Sequence, residues 1–487
     1  MTTGAGAAPL SSAQINRKVS LRIIPFLCLL MFVAYIDRIS LAYAGPAGMN
    51  EDLGLSATAF GFAAGIFFIG YIAIEVPSNV ALHRFGARLW LGRIIITWGV
   101  VQMLTAFVPN AETLYVMRFL LGLAEAGFTP GVLLYLTYWF SSEYRGRAIT
   151  RFLFSVMVTT VIGAPLSMWL IGVGDSAQPL GLTGWRFLIL TTGVPAVVMG
   201  MIALFYLDDR PQTASWLSSA EKADIQARLN ADAEQYATRA GRVRDVLRNG
   251  RAWLLGFCFF VFNYGSYALT FFLPTLVLGF QERFDTHYSP VQAALLTSVP
   301  FACGGLAQLL YGRHCDRKGK PGAHIAVSSV IGVTGGIGAT LAESPPGPHR
   351  LAVRDGRRHR RRGAAGLRDD VQPLPGVGAA AALGLVNTVG VSSGFFGPYI
   401  TGWLRDLTGN QDAGIILISV LLVAAGRDRP ARGARSAQAG ARPLRRRSAG
   451  GRWGRSRPCR RQGVTPPLRP PRTLTTTHDL GDDPCPW

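Results

Sequence analysis

Residues 112–140 read ETLYVMRFLLGLAEAGFTPGVLLYLTYWF, an apolar run that nonetheless holds Arg118 and Glu125. A spanning helix takes roughly 20 apolar residues, and one ionised side chain near its centre costs about 2.5–3.5 kcal/mol on insertion scales. Two such charges need a reason. On a helix, a seven-residue spacing brings them within about 20° of each other, with roughly 10 Å of rise between them. They therefore line one stripe, while Gly122, Ala126, Gly127 and Gly131 offer faces for close helix packing. Two readings compete. One is a structural ion pair to another helix. The other is a binding and proton-handling site in a water-filled cavity, favoured because intramembrane ionisable groups usually mark a substrate or ion pathway.

Composition points the same way. In 487 residues, 49% hydrophobic and only 16% charged, the expectation is an all-α polytopic membrane protein rather than a soluble enzyme. The net charge of +21 would suggest nucleic acid, but its location argues otherwise. Residues 344–376 hold eight Arg against three Asp, and residues 427–487 fifteen Arg against four Asp. No nucleic-acid partner is expected. The six cysteines show no metal spacing or disulfide framework. Nucleophile, metal-cluster and phosphate-loop signatures are lacking, so neither enzyme chemistry nor a cofactor is expected. The apolar stretch from Ile23 runs into more helix rather than a small-residue cleavage site, which argues against a cleavable signal.

Spanning candidates are 21–48, 57–82, 89–108, 112–140, 148–173 and 185–207, then 251–280, 290–312, 323–343, 378–403 and 413–426. A polar stretch, 208–250, separates the two sets and reads as a partly helical linker, with Ser219 capping a helix that carries Glu221 and Asp224 in its first turn. The expected organisation is an N-terminus over 1–20, a six-helix bundle over 21–207, the linker, a second bundle over 251–426 interrupted at 344–376, and an Arg/Pro-rich tail over 427–487. Basic clusters (Arg17, Lys18, Arg22; Arg84, Arg88, Arg93; Arg145, Arg147, Arg151; Arg313, Arg317, Lys318, Lys320) alternate with acidic loops (Glu51, Asp52; Glu112; Asp175; Glu282, Asp285). By the positive-inside rule the N-terminus and linker are cytoplasmic, in a bacterial-type inner membrane.

Two basic loops echo each other: HRFGARLWLGR over 83–93 and GRHCDRKGKPG over 312–322. Such a repeat of six-helix units, with its linker and paired loops, resembles the major facilitator superfamily. Gly312, Arg313, Asp316, Arg317, Gly319 and Lys320 are a near-complete copy of that superfamily's cytoplasmic gate signature, whereas the first copy has His83 where the Asp would stand. In the first half, YIDR (35–38), IGYIAIEVPSN (69–79) and RFLLGLAEAGFTPG (118–131) together resemble the anion:cation symporter family, which includes permeases for tartrate, phthalate and hexonates.

The resemblance implies a proton-coupled importer of an organic carboxylate, working as a monomer in the lipid bilayer. Arg38 and Arg118 would grip the carboxylate, for which a planar bidentate donor is suited. Asp37 and Glu125 would be the proton-coupling acids. Tyr35, Tyr71 and Asn387 would line the polar cavity. Asp37 and Arg38 sit about 20 Å beyond the first basic cluster, near mid-membrane, where a self-neutralising pair is the alternative. Glu75 reads as a partner for a loop arginine. An exporter is the second transport reading, since VIGAPLSMWL (161–170), with Gly163 and Pro165, resembles part of an exporter motif. A membrane nutrient sensor is a third.

The pattern breaks twice. Residues 344–376 are too charged and too rich in Pro and Gly to form the expected tenth span, and the twelfth stops at Gly426. The Arg/Pro/Ala/Gly composition of both stretches suggests reading-frame disruptions in a GC-rich gene, with a lipid-binding basic tail as the alternative. Poor order is expected in both, and a frame-disrupted chain would belong to a transporter family without transporting.

Overall fold

Ser11 and Gln14 close a capping box, with the Ser11 backbone N–H donating to Gln14 Oε1 at 2.8 Å and the Gln14 N–H to Ser11 Oγ at 3.4 Å. The first helix, α1, therefore starts at Ser12 and runs to Ala44, nine residues ahead of the expected span. The computed structural model describes residues 11–237, 247–284, 288–318, 377–409 and 412–427. Expected span 323–343, the stretch 344–376 and the tail from 428 lie outside these residues.

Among the described residues the chain is helical, without strands. After a π-helical turn at Gly45–Met49 come α2 (Ala57–Phe85), α3 (Ala87–Thr105), α4 (Ala111–Glu125), α5 (Phe128–Trp139), α6 (Ser142–Ala177) and α7 (Gly184–Tyr206). The linker supplies α8 (Ser219–Ala237), and α9 (Gly250–Phe284), α10 (Pro290–Lys318), α11 (Val377–Thr408) and α12 (Asp412–Arg427) follow. Six stretches of the described residues are long and apolar enough to cross a membrane, with α4 and α5 counting as one. The cap of α8 is Ser218 rather than Ser219: the Ser218 N–H donates to Glu221 Oε2 at 2.7 Å and the Glu221 N–H to Ser218 Oγ at 3.3 Å. The capping box needs its acid three residues on, and Glu221 stands at that spacing from Ser218.

Helices approach where glycines let backbones touch. A Cβ on Gly122 of α4 would fall 2.0 Å from the Phe67 carbonyl oxygen of α2, and one on Gly402 of α11 would fall 2.1 Å from the Ala57 oxygen. The first contact binds α2 to α4 within the amino-terminal helices, and the second binds α2 to α11 across the two halves.

Among the described residues, several contacts between halves lie toward the acidic-loop end. Asp406, at the end of α11, accepts the Ala57 N–H at 3.2 Å and the Thr58 N–H at 2.7 Å, capping the start of α2. Phe60 meets the edge of Phe272, centroids 5.6 Å apart, and Tyr43 lies 3.4 Å from Thr297. Partial burial works to raise the Asp406 carboxyl, but hydrogen bonds from Thr58, Ser56 and Ala57 outweigh it and hold the group below the usual carboxylate range. The contribution of this cap to stability is therefore full above the ordinary carboxylate pKa and fades as pH falls through the lowered one. In detergent, Asp406→Asn should lower the thermal midpoint at neutral pH, and its difference from the unmodified protein should shrink on acidification below about pH 4. A difference that is constant with pH would show that the cap's charge is irrelevant.

Candidate functional site

One face of α2 sets one wall. Phe67, Tyr71, Glu75, Ser78 and Leu82 recur at three- and four-residue spacing and all are buried. Against this wall stand α1, with Asp37 and Arg38, and α4, with Arg118 and Glu125.

Arg38 forms an ion pair with Glu125, so the ion-pair reading of the stripe is realised between α1 and α4. Both side chains are largely out of solvent. Aromatic rings surround the guanidinium: Phe67 at 5.1 Å, Tyr35 at 5.7 Å, Phe68 at 5.8 Å and Tyr71 at 5.9 Å, measured to ring centroids. Each such face adds about 0.5–2 kcal/mol of attraction for a cation. From the other half, Tyr267 of α9 packs on Phe68 with centroids 4.6 Å apart, which brings its hydroxyl within electrostatic reach of Arg38.

Arg118 is 1% exposed. Its Nε donates to the Ala63 carbonyl at 3.3 Å, its guanidinium carbon lies 5.2 Å from the Phe67 ring, and one terminal nitrogen has no hydrogen-bond partner. A buried guanidinium with an unused donor is costly unless an acceptor arrives. Arg118 feels Glu125, Arg38 and Asp37 electrostatically, so the four charged groups form one cluster instead of being spread over the outside.

Asp37 faces away from the Arg38–Glu125 pair, as adjacent helical residues point about 100° apart. It is not self-neutralised by Arg38. Both carboxyl oxygens are buried without a hydrogen bond, and Trp98 of α3 and Thr192 of α7 are polar neighbours of the carboxyl group. Gln102 joins this region by donating to Ser40 at 3.2 Å and to Thr192 at 3.3 Å. Glu75 does not pair with a loop arginine. It accepts from Asn387 Nδ2 at 2.8 Å, tying α2 to α11. Residues separated by 312 positions leave no local trace of such a bond in sequence.

The stretch 112–140 is not one helix. After Glu125 the backbone turns out at Ala126 (ψ 131°), and Gly127 takes φ 87°, which favours glycine. The break frees backbone groups in a medium without water, and α2 and α3 supply the remedy. Ser78 Oγ donates to the Ala126 carbonyl at 2.8 Å and accepts from Trp90 Nε1 at 3.0 Å. Leaving such a buried group unpaired costs about 1–3 kcal/mol. Gly127 followed by Pro130 was the available signal, because a glycine then a proline is how a helix ends and restarts.

Of the gate residues, Gly312, Arg313, Asp316 and Arg317 fall within α10, but their side chains, and all of Gly319 and Lys320, lie outside the described residues. His83, expected in a loop, stands instead in the last turn of α2, 3.0 Å from the Tyr138 hydroxyl. Asp209, just past α7, accepts the Arg88 N–H at the start of α3 at 2.8 Å.

Comparison with known proteins adds the following. The family described as Major Facilitator Superfamily matches residues 27–349. A relative from Agrobacterium vitis named "Putative tartrate transporter" is 36% identical over 415 residues, 84% of this chain and 92% of its own length. A quinolone resistance transporter of Acinetobacter baumannii is 33% identical over 420 residues, 84% of this chain and 93% of its own. The inward-open structure of the xylose transporter XylE from E. coli superposes with a TM-score of 0.58 at 13% identity, covering 84% of this chain and 94% of that one. At that identity the likeness is one of fold.

Breaking one side of the Arg38–Glu125 pair strands a buried charge, at a cost of about 3–5 kcal/mol, whereas replacing both by apolar groups is far less harmful. Glu125→Leu should therefore lower thermal stability in detergent more than the double variant Arg38→Met/Glu125→Leu does. Equal or additive losses would show that the two side chains do not depend on each other.

Proposed function

Because the chain belongs to the Major Facilitator Superfamily, whose members carry small molecules across membranes and are not enzymes, we propose that it is a secondary active transporter importing an organic anion together with protons. The observation that carries this reading is Arg118, buried with a donor unused, beside an Arg38 whose partner is an acid able to take a proton. Asp37, Arg38, Arg118 and Glu125 sum to zero when all are ionised. An entering carboxylate adds one negative charge in a low-dielectric site, and protonation of Glu125 cancels it while freeing Arg38 for the newcomer. Substrate and proton then favour each other's binding. A dicarboxylate would draw a second proton, for which Asp37 is the remaining acid of the cluster.

The roles assigned are carboxylate binding by Arg38 and Arg118, coupling by Glu125 and Asp37, and cavity lining by Tyr35, Tyr71 and Asn387. The relative named for tartrate supports a small hydroxy-dicarboxylate or sugar acid as the substrate class. The basic loops support a cytoplasmic N-terminus and linker in a bacterial inner membrane; the proposed working unit is a monomer acting by alternating access around the midplane. A second reading, drug export, is favoured by the quinolone resistance relative. A cavity of about 260 Å³ lined largely by apolar groups, among them Tyr43, Met168, Ile171 and Pro274, also suits an apolar drug better than a carboxylate.

In proteoliposomes with an inward proton gradient, labelled tartrate or a sugar acid should accumulate. Glu125→Gln should abolish gradient-driven accumulation, and Arg118→Lys should raise the apparent KM about tenfold by losing the bidentate fork. Accumulation indifferent to both the gradient and Glu125→Gln would overturn the proposal, and gradient-driven loss of quinolone from loaded vesicles would favour export.

A further inference from the structure

Glu125 is the last residue of α4, and the backbone leaves the helix at the next position. Whatever holds Ala126 and Gly127 in place therefore fixes where the Glu125 carboxylate points. That hold comes from two side chains outside α4 and α5. Ser78, 2% exposed, donates to the Ala126 carbonyl, and Trp90 donates to Ser78. The fit leaves no slack, since a Cβ on Gly127 would fall 2.3 Å from Ser78 Oγ. On the far side of the break, the ring of Phe128, first residue of α5, meets Trp98 edge-on at 5.1 Å, and Trp98 is a polar neighbour of Asp37. The break thus touches the surroundings of both acids of the cluster.

We propose that Ser78 and Trp90 are positioning residues for Glu125, holding its carboxylate against Arg38 through a hydrogen-bond chain that ends on the Ala126 carbonyl. The inference rests on the reading of Glu125 as a coupling acid, and it reaches beyond the charged residues to a serine and a tryptophan that touch neither substrate nor proton. The titratable and charged groups facing Glu125 are Tyr35, Asp37 and Arg38 from α1, Tyr71 from α2, Arg118 from α4 and Tyr267 from α9. None of these is altered by changing Ser78 or Trp90. A hydroxyl removed at Ser78 loosens the turn, the Arg38–Glu125 contact weakens, and the acid holds its proton to higher pH.

The test is the thermal midpoint of the purified full chain in detergent measured against pH, which needs no substrate. The inflection that Glu125→Gln removes identifies the Glu125 titration. Ser78→Ala should move that inflection about one unit to higher pH, the size expected for losing one hydrogen-bond-sized interaction with the charged form. Trp90→Phe, which keeps an aromatic ring but lacks the N–H, should move it in the same direction and less. The double variant should move it no further than Ser78→Ala alone, because the indole acts through the serine. Thr105→Val, which removes a buried hydroxyl bonded only within α3, should leave it in place. Three results would each overturn the proposal: a uniform loss of stability in Ser78→Ala with the inflection unmoved, additive shifts in the double variant, or an unmodified profile with no Glu125-dependent inflection. Failure of the transport reading shows separately, as gradient-independent uptake in vesicles despite a shifted inflection.

Discussion

A guanidinium and a carboxylate set in the low-dielectric interior of a helix bundle each cost less when they meet, and the Arg38–Glu125 contact is where this constraint is met here. Isolated, each would cost several kcal/mol in such surroundings. The neighbouring structure follows from bringing them together. α1 and α4 must converge, and α2 must pass close enough to α4 for its aromatic face to cover Arg38, which is why Gly122 stands against the Phe67 carbonyl with no room for a side chain. The break after Glu125 and its repair by Ser78 and Trp90 are the backbone's part of the same arrangement.

The two halves contribute unequally. The charged cluster belongs to α1 and α4, while the carboxy-terminal helices bring Tyr267 to Phe68, Asn387 to Glu75 and Asp406 to the start of α2. Around these contacts α2 and α11 pack closely, with Gly61 against the Pro398 carbonyl, Gly65 against the Phe395 carbonyl and Gly402 against the Ala57 carbonyl, so the halves meet here without room for an added side chain. The linker helix stays with the amino-terminal side. From α8, Glu221 pairs with Lys18 at 2.9 Å, Asp224 accepts the Ser12 hydroxyl at 3.1 Å, and Asp232 accepts the Ser142 N–H at 2.5 Å at the start of α6. A helix held at three points on one half moves with that half.

Much of this was legible in the chain. Hydropathy located each helix of the first half, with the starts of α1 and α6 falling earlier than expected, and the cost of burying a charge singled out Asp37, Arg38, Arg118 and Glu125 from sequence. Boundaries set by side-chain hydrogen bonds were less visible. The nine extra residues of α1 depend on Ser11 and Gln14, and the cap of α8 fell one residue earlier than expected. The break at Ala126–Gly127 had a Gly–Pro signal that the surrounding apolar run concealed.

The sequence by itself determined that the protein is an assembly of apolar helices with a small set of ionisable groups within them, because helix period, hydropathy and charge cost are properties of short stretches. Only the tertiary structure decided which charge meets which. Glu125 lies 87 residues from Arg38 and Glu75 lies 312 from Asn387, separations over which no local pattern specifies a partner. It also decided that Asp37 turns toward Trp98 and Thr192 while its neighbour Arg38 turns toward Glu125. A 100° step along a helix separates two side chains, but what stands on either side of it is set by how the other helices pack.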